Sequence, residues 1–141
     1  MVIRLKKNLE VTCAIIKNGD SFFCARRAST EKSMPSKIEF PGGKVYKGEL
    51  KEDCIVREIK EELGIDIYLI EELVTIKHEY EDFIIILHVF VCGIKYGDIK
   101  LTVHDEGYWC SFDELLRFDW DECDIKIFPY LKEFLESKDK Q

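Results

Sequence analysis

From Leu50 to Leu63 the chain carries a helical pattern that leaves its neighbours little choice. With each residue turned about 100° from the last, Ile55, Val56, Ile59 and Leu63 share one arc, which has to be buried. Gly64 stands where the glycine that ends a helix belongs. Glu58, Glu61 and Glu62 fall in the adjoining arc, with Lys60 on the far side, so three carboxylates crowd beside the edge of the buried stripe. Like charges three or four positions apart repel by roughly a few tenths of a kcal/mol per pair in an isolated helix. Such a triplet fits a solvated face. It also fits a site for a hard divalent cation, which selects oxygen ligands and local negative charge.

Strand patterns surround this helix. Glu10 to Lys17 and Ser21 to Arg26 are rich in β-branched and aromatic residues and flank Asn18-Gly19-Asp20, which predicts a hairpin. Ile38-Glu39-Phe40 leads into Pro41-Gly42-Gly43, where regular structure stops and the backbone can approach a ligand closely. Two further strands are expected over Ile67 to His78 and Phe83 to Cys92, joined by Glu79 to Asp82. The run Phe83 to Leu87 reads as buried on both faces. After a loop comes a short strand, Tyr108 to Cys110. Ser111 to Glu114 has capping-box spacing, and an amphipathic helix covers Asp124 to Ser137, with Pro129 kinking it or marking its true start. The order predicts an α+β fold, an α/β/α sandwich rather than a regular βαβ alternation. One domain over 1–141 is expected, with 136–141 a frayed polar tail.

The chain has 141 residues, 46% of them apolar, and a formal charge of −7. The acidic balance argues against a nucleic-acid polymer as partner, because such binders need a basic face. A nucleotide held by bound metal and a few local cations is compatible with it. No apolar run approaches a membrane span, no signal peptide is read at the start, and a cytoplasmic protein is expected. None of the six cysteines forms a C-x-x-C pair, so buried reduced thiols are expected.

Gly43, Glu49, Arg57, Glu58, Ile59, Glu61, Glu62, Gly64 and Ile65 have the spacing of the Nudix hydrolase box with every fixed position filled. The chain resembles that family. The resemblance implies a loop-helix-loop packed on a mixed sheet. It also implies that Glu58, Glu61 and Glu62 bind divalent metal, Mg²⁺ with Mn²⁺ as a substitute, and that Arg57 and Glu49 hold the glutamates in place. The Gly42 carbonyl matches a further metal ligand of the MutT-like members. Glu61 or Glu62 can also take a proton from the attacking water. Hydrolysis of a phosphoanhydride needs phosphate charge neutralised and a water positioned, and metal ions on carboxylates supply both.

Beyond the box, the chain resembles MutT-like (deoxy)nucleoside triphosphate pyrophosphohydrolases from about Val11 to Leu135. By that resemblance Arg27, after Arg26, contacts phosphate; two exposed arginines ending a strand is the alternative. Phe40 stands where the family lines its base pocket, though an aromatic there also suits plain core. Asp124 is the candidate for the base edge and also fits a helix N-cap. One departure stands out: the loop glutamate these enzymes often add as a metal ligand or base is replaced by Val103. Glu106 or Asp105 is the substitute candidate, and His104 reads as a loop residue. The expected activity is hydrolysis of nucleoside triphosphates to the monophosphate and pyrophosphate, with oxidised nucleotides of the 8-oxo-dGTP type first and CTP or modified pyrimidine triphosphates second. A non-catalytic nucleotide sensor is more distant. A monomer or a homodimer fits.

Overall fold

The structure, a computed structural model, describes residues 5–32 and 34–139. In chain order it has β1 (Lys7–Asn18), β2 (Ser21–Arg27), β3 (Ile38–Glu39), β4 (Gly42–Lys44), α1 (Lys51–Leu63), β5 (Asp66–Glu79), β6 (Phe83–Tyr96), β7 (His104–Cys110), α2 (Phe112–Leu115), α3 (Glu122–Ile125) and α4 (Phe128–Asp139). β1 runs parallel to β6, from Lys7 opposite Phe83 to Ile16 opposite Cys92, while the other pairings between these strands are antiparallel. The sheet is therefore mixed. Alternation along β1, β2 and β6 gives it two apolar faces. Ala14, Ile16, Phe23, Ala25, Phe90 and Cys92 pack against Ile55, Ile59, Leu63 and Ile65 on one face. Cys13, Ile15, Phe22, Cys24, Val89 and Val91 pack against Leu115, Ile127, Leu131 and Phe134 on the other. This is the three-layered α/β/α arrangement expected; in the stripe of α1, Ile55, Ile59 and Leu63 are buried and Val56 is half-buried at its edge. All six cysteines are free and buried. No helix among the described residues is long and apolar enough to cross a membrane.

The β1–β2 hairpin turns at Gly19-Asp20, with Gly19 at φ 60°. α1 ends at Gly64, whose φ of 71° is left-handed and whose N–H returns to the Lys60 carbonyl. The loop after β6 takes up the other terminal carbonyls: Lys100 N–H donates to Leu63, and Thr102 donates to Glu62. Gly64→Ala is expected to cost about 1 kcal/mol, because a Cβ in this backbone conformation meets the following carbonyl. A urea midpoint that falls with an unchanged slope checks it.

Five expectations need correction. The segment buried on both faces is Leu87 to Gly93, whereas Phe83 to Ile86 is half-buried. The last strand starts at His104, not Tyr108, because the edge of β2 supplies partners to a stretch whose polar composition reads as loop. The expected helix over Asp124 to Ser137 is two helices, α3 and α4. Pro129 falls in the first turn of α4, where its missing N–H is harmless. The helix N-cap is Asp121, whose side chain accepts from Cys123 N–H, not Asp124. α4 continues to Asp139, so 136–139 are helical, and 140–141 lie outside the described residues.

Candidate active site

The loop between β4 and α1 is tied to the helix by one side chain. Arg57 donates through Nε to Glu49 Oε2 at 2.8 Å and through Nη2 to Glu49 Oε1 at 3.0 Å, a two-pronged contact. Its Nη1 reaches Glu58 Oε1 at 2.9 Å, Nη2 reaches the Lys44 carbonyl at 3.1 Å, and the guanidinium lies 3.9 Å over the Tyr46 ring. The Arg57 contact, aided by the Tyr46 N–H, holds the Glu49 carboxyl down at about 2. Glu61 touches the same guanidinium only at 3.2–3.3 Å and from an exposed position. Arg57 thus orients Glu49 and Glu58 firmly and Glu61 loosely.

Glycine is required where the loop passes the helix. A Cβ on Gly43 would overlap the Glu58 carboxylate, and one on Gly42 would overlap the Thr12 carbonyl oxygen. Glu62, one turn on from Glu58, is turned inward. The Gly42 N–H hydrogen-bonds its carboxylate, yet burial, with Glu39 and Glu58 nearby, pushes its pKa up to about 8. Its Oε2 is buried with no hydrogen-bond partner among the described residues. Burial raises Glu58 in the same direction.

Glu62, Gly42 and Gly43 form one wall of a cavity of about 530 Å³, and Arg27, Glu39, Phe40, His104 and Asp124 contribute other walls. A second lobe of about 200 Å³ continues past Asp124 toward Tyr80, Met34 and Lys37. The floor shared by both lobes is apolar: Val11, Phe83, Ile85 and Leu87. Arg27 reaches it from the end of β2, donating to Glu39 Oε1 at 2.8 Å. Burial opposes the Arg27 charge, but Glu39 outweighs it and the pKa rises. Asp124 is half-buried on α3; desolvation first, then Glu39 and Asp121, push its carboxyl up to about 8. Phe40 packs on Trp120 at 4.8 Å between ring centroids within the core and also borders the cavity.

Some candidates lie elsewhere. Glu106 is on β7 opposite Arg26, pairs with it at 3.8 Å and accepts from the Tyr108 hydroxyl, so it borders neither lobe. Asp105 accepts from Ser29 N–H instead. The place reserved for a substitute glutamate is lined by Val103 and by His104, a buried strand residue rather than a loop one. Glu39, between Ile38 and Phe40, was not singled out in the sequence, yet it stands among Arg27, His104, Glu62 and Asp124. The signal was there: a carboxylate between two apolar neighbours immediately before Pro41-Gly42-Gly43.

Among the described residues no three acidic, imidazole or thiol groups already surround one point. The donor set nevertheless suits a hard divalent cation. Glu58 and Glu62 present oxygen only, Glu62 has an unpartnered buried oxygen, and Glu61 needs only to leave a long, exposed contact with Arg57.

Residues 6–131 match the family model described as NUDIX domain. Over 129 residues the chain is 32% identical to the CTP pyrophosphohydrolase of Escherichia coli strain K12, covering 92% of this chain and 93% of that protein. Over 126 residues it is 29% identical to the 8-oxo-dGTP diphosphatase of the same strain, covering 89% and 98%. A crystal structure of a MutT protein from Methanosarcina mazei Go1 superposes with a TM-score of 0.80 at 26% identity, covering 96% of this chain and 98% of that one.

Proposed function

We propose that this chain, which belongs to the Nudix domain family and is a nucleotide pyrophosphohydrolase, cleaves nucleoside triphosphates to the monophosphate and pyrophosphate with Mg²⁺. The observation that carries the reading is Glu62: a buried, half-unsatisfied carboxylate on the box helix, opening onto the cavity that Arg27 and Asp124 also line. Glu58, Glu61 and Glu62, with the Gly42 carbonyl, would hold the cation, and Mn²⁺ meets the same donor set. Such a cation, when bound, supplies charge neutralisation on the phosphate oxygens and a polarised water. Arg57 and Glu49 keep Glu58 in position. Arg27 grips phosphate from the opposite wall. The apolar floor and Phe40 receive the base, and Asp124 meets its edge; kept protonated by burial, it offers a donor as well as an acceptor.

Our leading substrate is an oxidised purine triphosphate of the 8-oxo-dGTP type. The second lobe beyond Asp124 supports it, since it leaves room for a second ring. CTP is the second reading, supported by the 32% identity to a CTP pyrophosphohydrolase. A panel of triphosphates with Mg²⁺, read by pyrophosphate release, tests both. The expected outcome is release with 8-oxo-dGTP at a kcat/KM at least about tenfold above dGTP, a difference of about 1.4 kcal/mol. Preference for CTP transfers the assignment to the second reading, and no release from any triphosphate ends both.

A further inference from the structure

His104 and Glu39 have no part in the chemistry above, although both line the cavity between the box helix and Asp124. The His104 side chain is only 2% exposed. Its Nε2 lies 2.9 Å from Glu39 Oε2, and because a carboxylate only accepts, Nε2 carries the proton in that contact. The other Glu39 oxygen accepts from Arg27 Nη1 at 2.8 Å. Strand register builds this chain of contacts: Arg27 stands opposite His104 on β7, and its neighbour-but-one Ala25 stands opposite Glu39 on β3. The Nδ1 of His104 is buried without a hydrogen-bond partner among the described residues. An apolar side chain would fill the same space without that cost, so packing alone does not account for an imidazole here.

We propose that His104 is a positioning residue: it holds Glu39, and through Glu39 it keeps Arg27 aimed into the cavity at the triphosphate. The proposal rests on the reading in which Arg27 grips phosphate. Arg27 also faces Glu31 Oε2 at 3.7 Å, but Glu39 at 2.8 Å is the closer of these two carboxylates, so a shift of Glu39 shifts the guanidinium. Pinning the far oxygen of Glu39 stops that shift and lowers the entropy lost when phosphate arrives.

Steady-state kinetics with the preferred triphosphate and Mg²⁺ test it, on wild type, His104→Ala, His104→Gln, Arg27→Ala and the Arg27→Ala, His104→Ala double variant. Loss of uniform binding raises KM and spares kcat. His104→Ala is therefore expected to raise KM roughly tenfold, the scale of one charge-assisted hydrogen bond, with kcat within about threefold. His104→Gln, which can still donate to Glu39, restores most of the loss. In the Arg27→Ala background His104→Ala changes KM no further. Equilibrium binding of a non-cleavable triphosphate analogue follows the same pattern without turnover. Thermal melting confirms that each variant is folded; if His104→Ala does not fold, Glu39→Gln carries the same expectation for KM. Wild-type KM in His104→Ala, Gln no better than Ala, or a full additive effect on top of Arg27→Ala overturns the assignment while triphosphate cleavage stands. A wild-type chain that neither cleaves nor binds a triphosphate overturns both.

Discussion

Glu62→Gln is expected to lower kcat by roughly a hundred- to a thousandfold, the scale of losing one preorganised electrostatic contact in a catalytic site, while the chain stays folded. The amide has the shape of the carboxylate and keeps one oxygen for the Gly42 N–H, but it cannot carry the charge that a cation and a polyphosphate require. The pH dependence of stability separates this from a packing effect. In the folded, metal-free chain the Glu62 carboxyl is pushed up from 4.5 to about 8, by burial first and by Glu39 and Glu58 next. A raised pKa means that the fold holds the proton more tightly than the unfolded chain does. Its contribution to stability is therefore full below about pH 4.5 and is lost as pH rises through 8, by no more than about 5 kcal/mol. Glu62→Gln removes that slope. Asp124, raised to about 8 by burial and by Glu39, contributes a slope in both proteins, so their difference isolates Glu62. A divalent cation displaces the proton, so wild type regains stability at high pH when Mg²⁺ is added and the Gln variant does not. Denaturant midpoints from pH 5 to 9, with and without Mg²⁺, give the comparison.

Arg57→Ala is the second large effect. The guanidinium meets Glu49 with two prongs, Glu58 and Glu61 with Nη1, the Lys44 carbonyl and the Tyr46 ring. Its removal leaves Glu49 and Glu58 facing each other unneutralised and frees the loop that follows Gly42, Gly43 and Lys44 of β4. The melting temperature is expected to fall by roughly 5 to 10 °C, with turnover down at least about a hundredfold as Glu58 loses its orientation. Arg57→Lys is expected to behave nearly as badly, because an ammonium cannot make the paired contact. Glu49 supplies the acid-side signature. With its pKa lowered to about 2, its stabilisation is present above about 4.5 and is lost as pH falls toward 2. That acid-side loss disappears in Arg57→Ala. Calorimetry from pH 2 to 7 reads both changes.

The central helix was legible because its buried stripe, its glycine stop and its acidic arc are all local patterns, and the box spacing then marked Arg57 and Glu49 as partners. The sandwich followed from one helix set among strands. Long-range pairing was not legible. Nothing near His104 in sequence marks it as a strand residue facing Arg27; only the β2–β7 register with its bulge after Arg26 does so. For the same reason Glu106, two residues away, points to Arg26 and away from the cavity. Helix-periodic apolar residues ran across the break between α3 and α4, and the signals that mark it, Asp121 as a cap and Pro129 in a first turn, compete with Asp124 for the same reading. Glu39 meets Arg27 and His104 only through the pairing of β3 and β7 with β2, which its sequence neighbours do not encode.

A crystal grown with Mn²⁺ and a non-cleavable triphosphate, with the ion located by its anomalous signal, tests the central claim most directly. The account predicts manganese bound directly to carboxylate oxygens of Glu58 and Glu62 and to a phosphate oxygen, with Glu61 released from Arg57 and turned toward the ion. An ion bound elsewhere, with Glu61 still on Arg57 and the Glu62 oxygen still unpartnered, would contradict it.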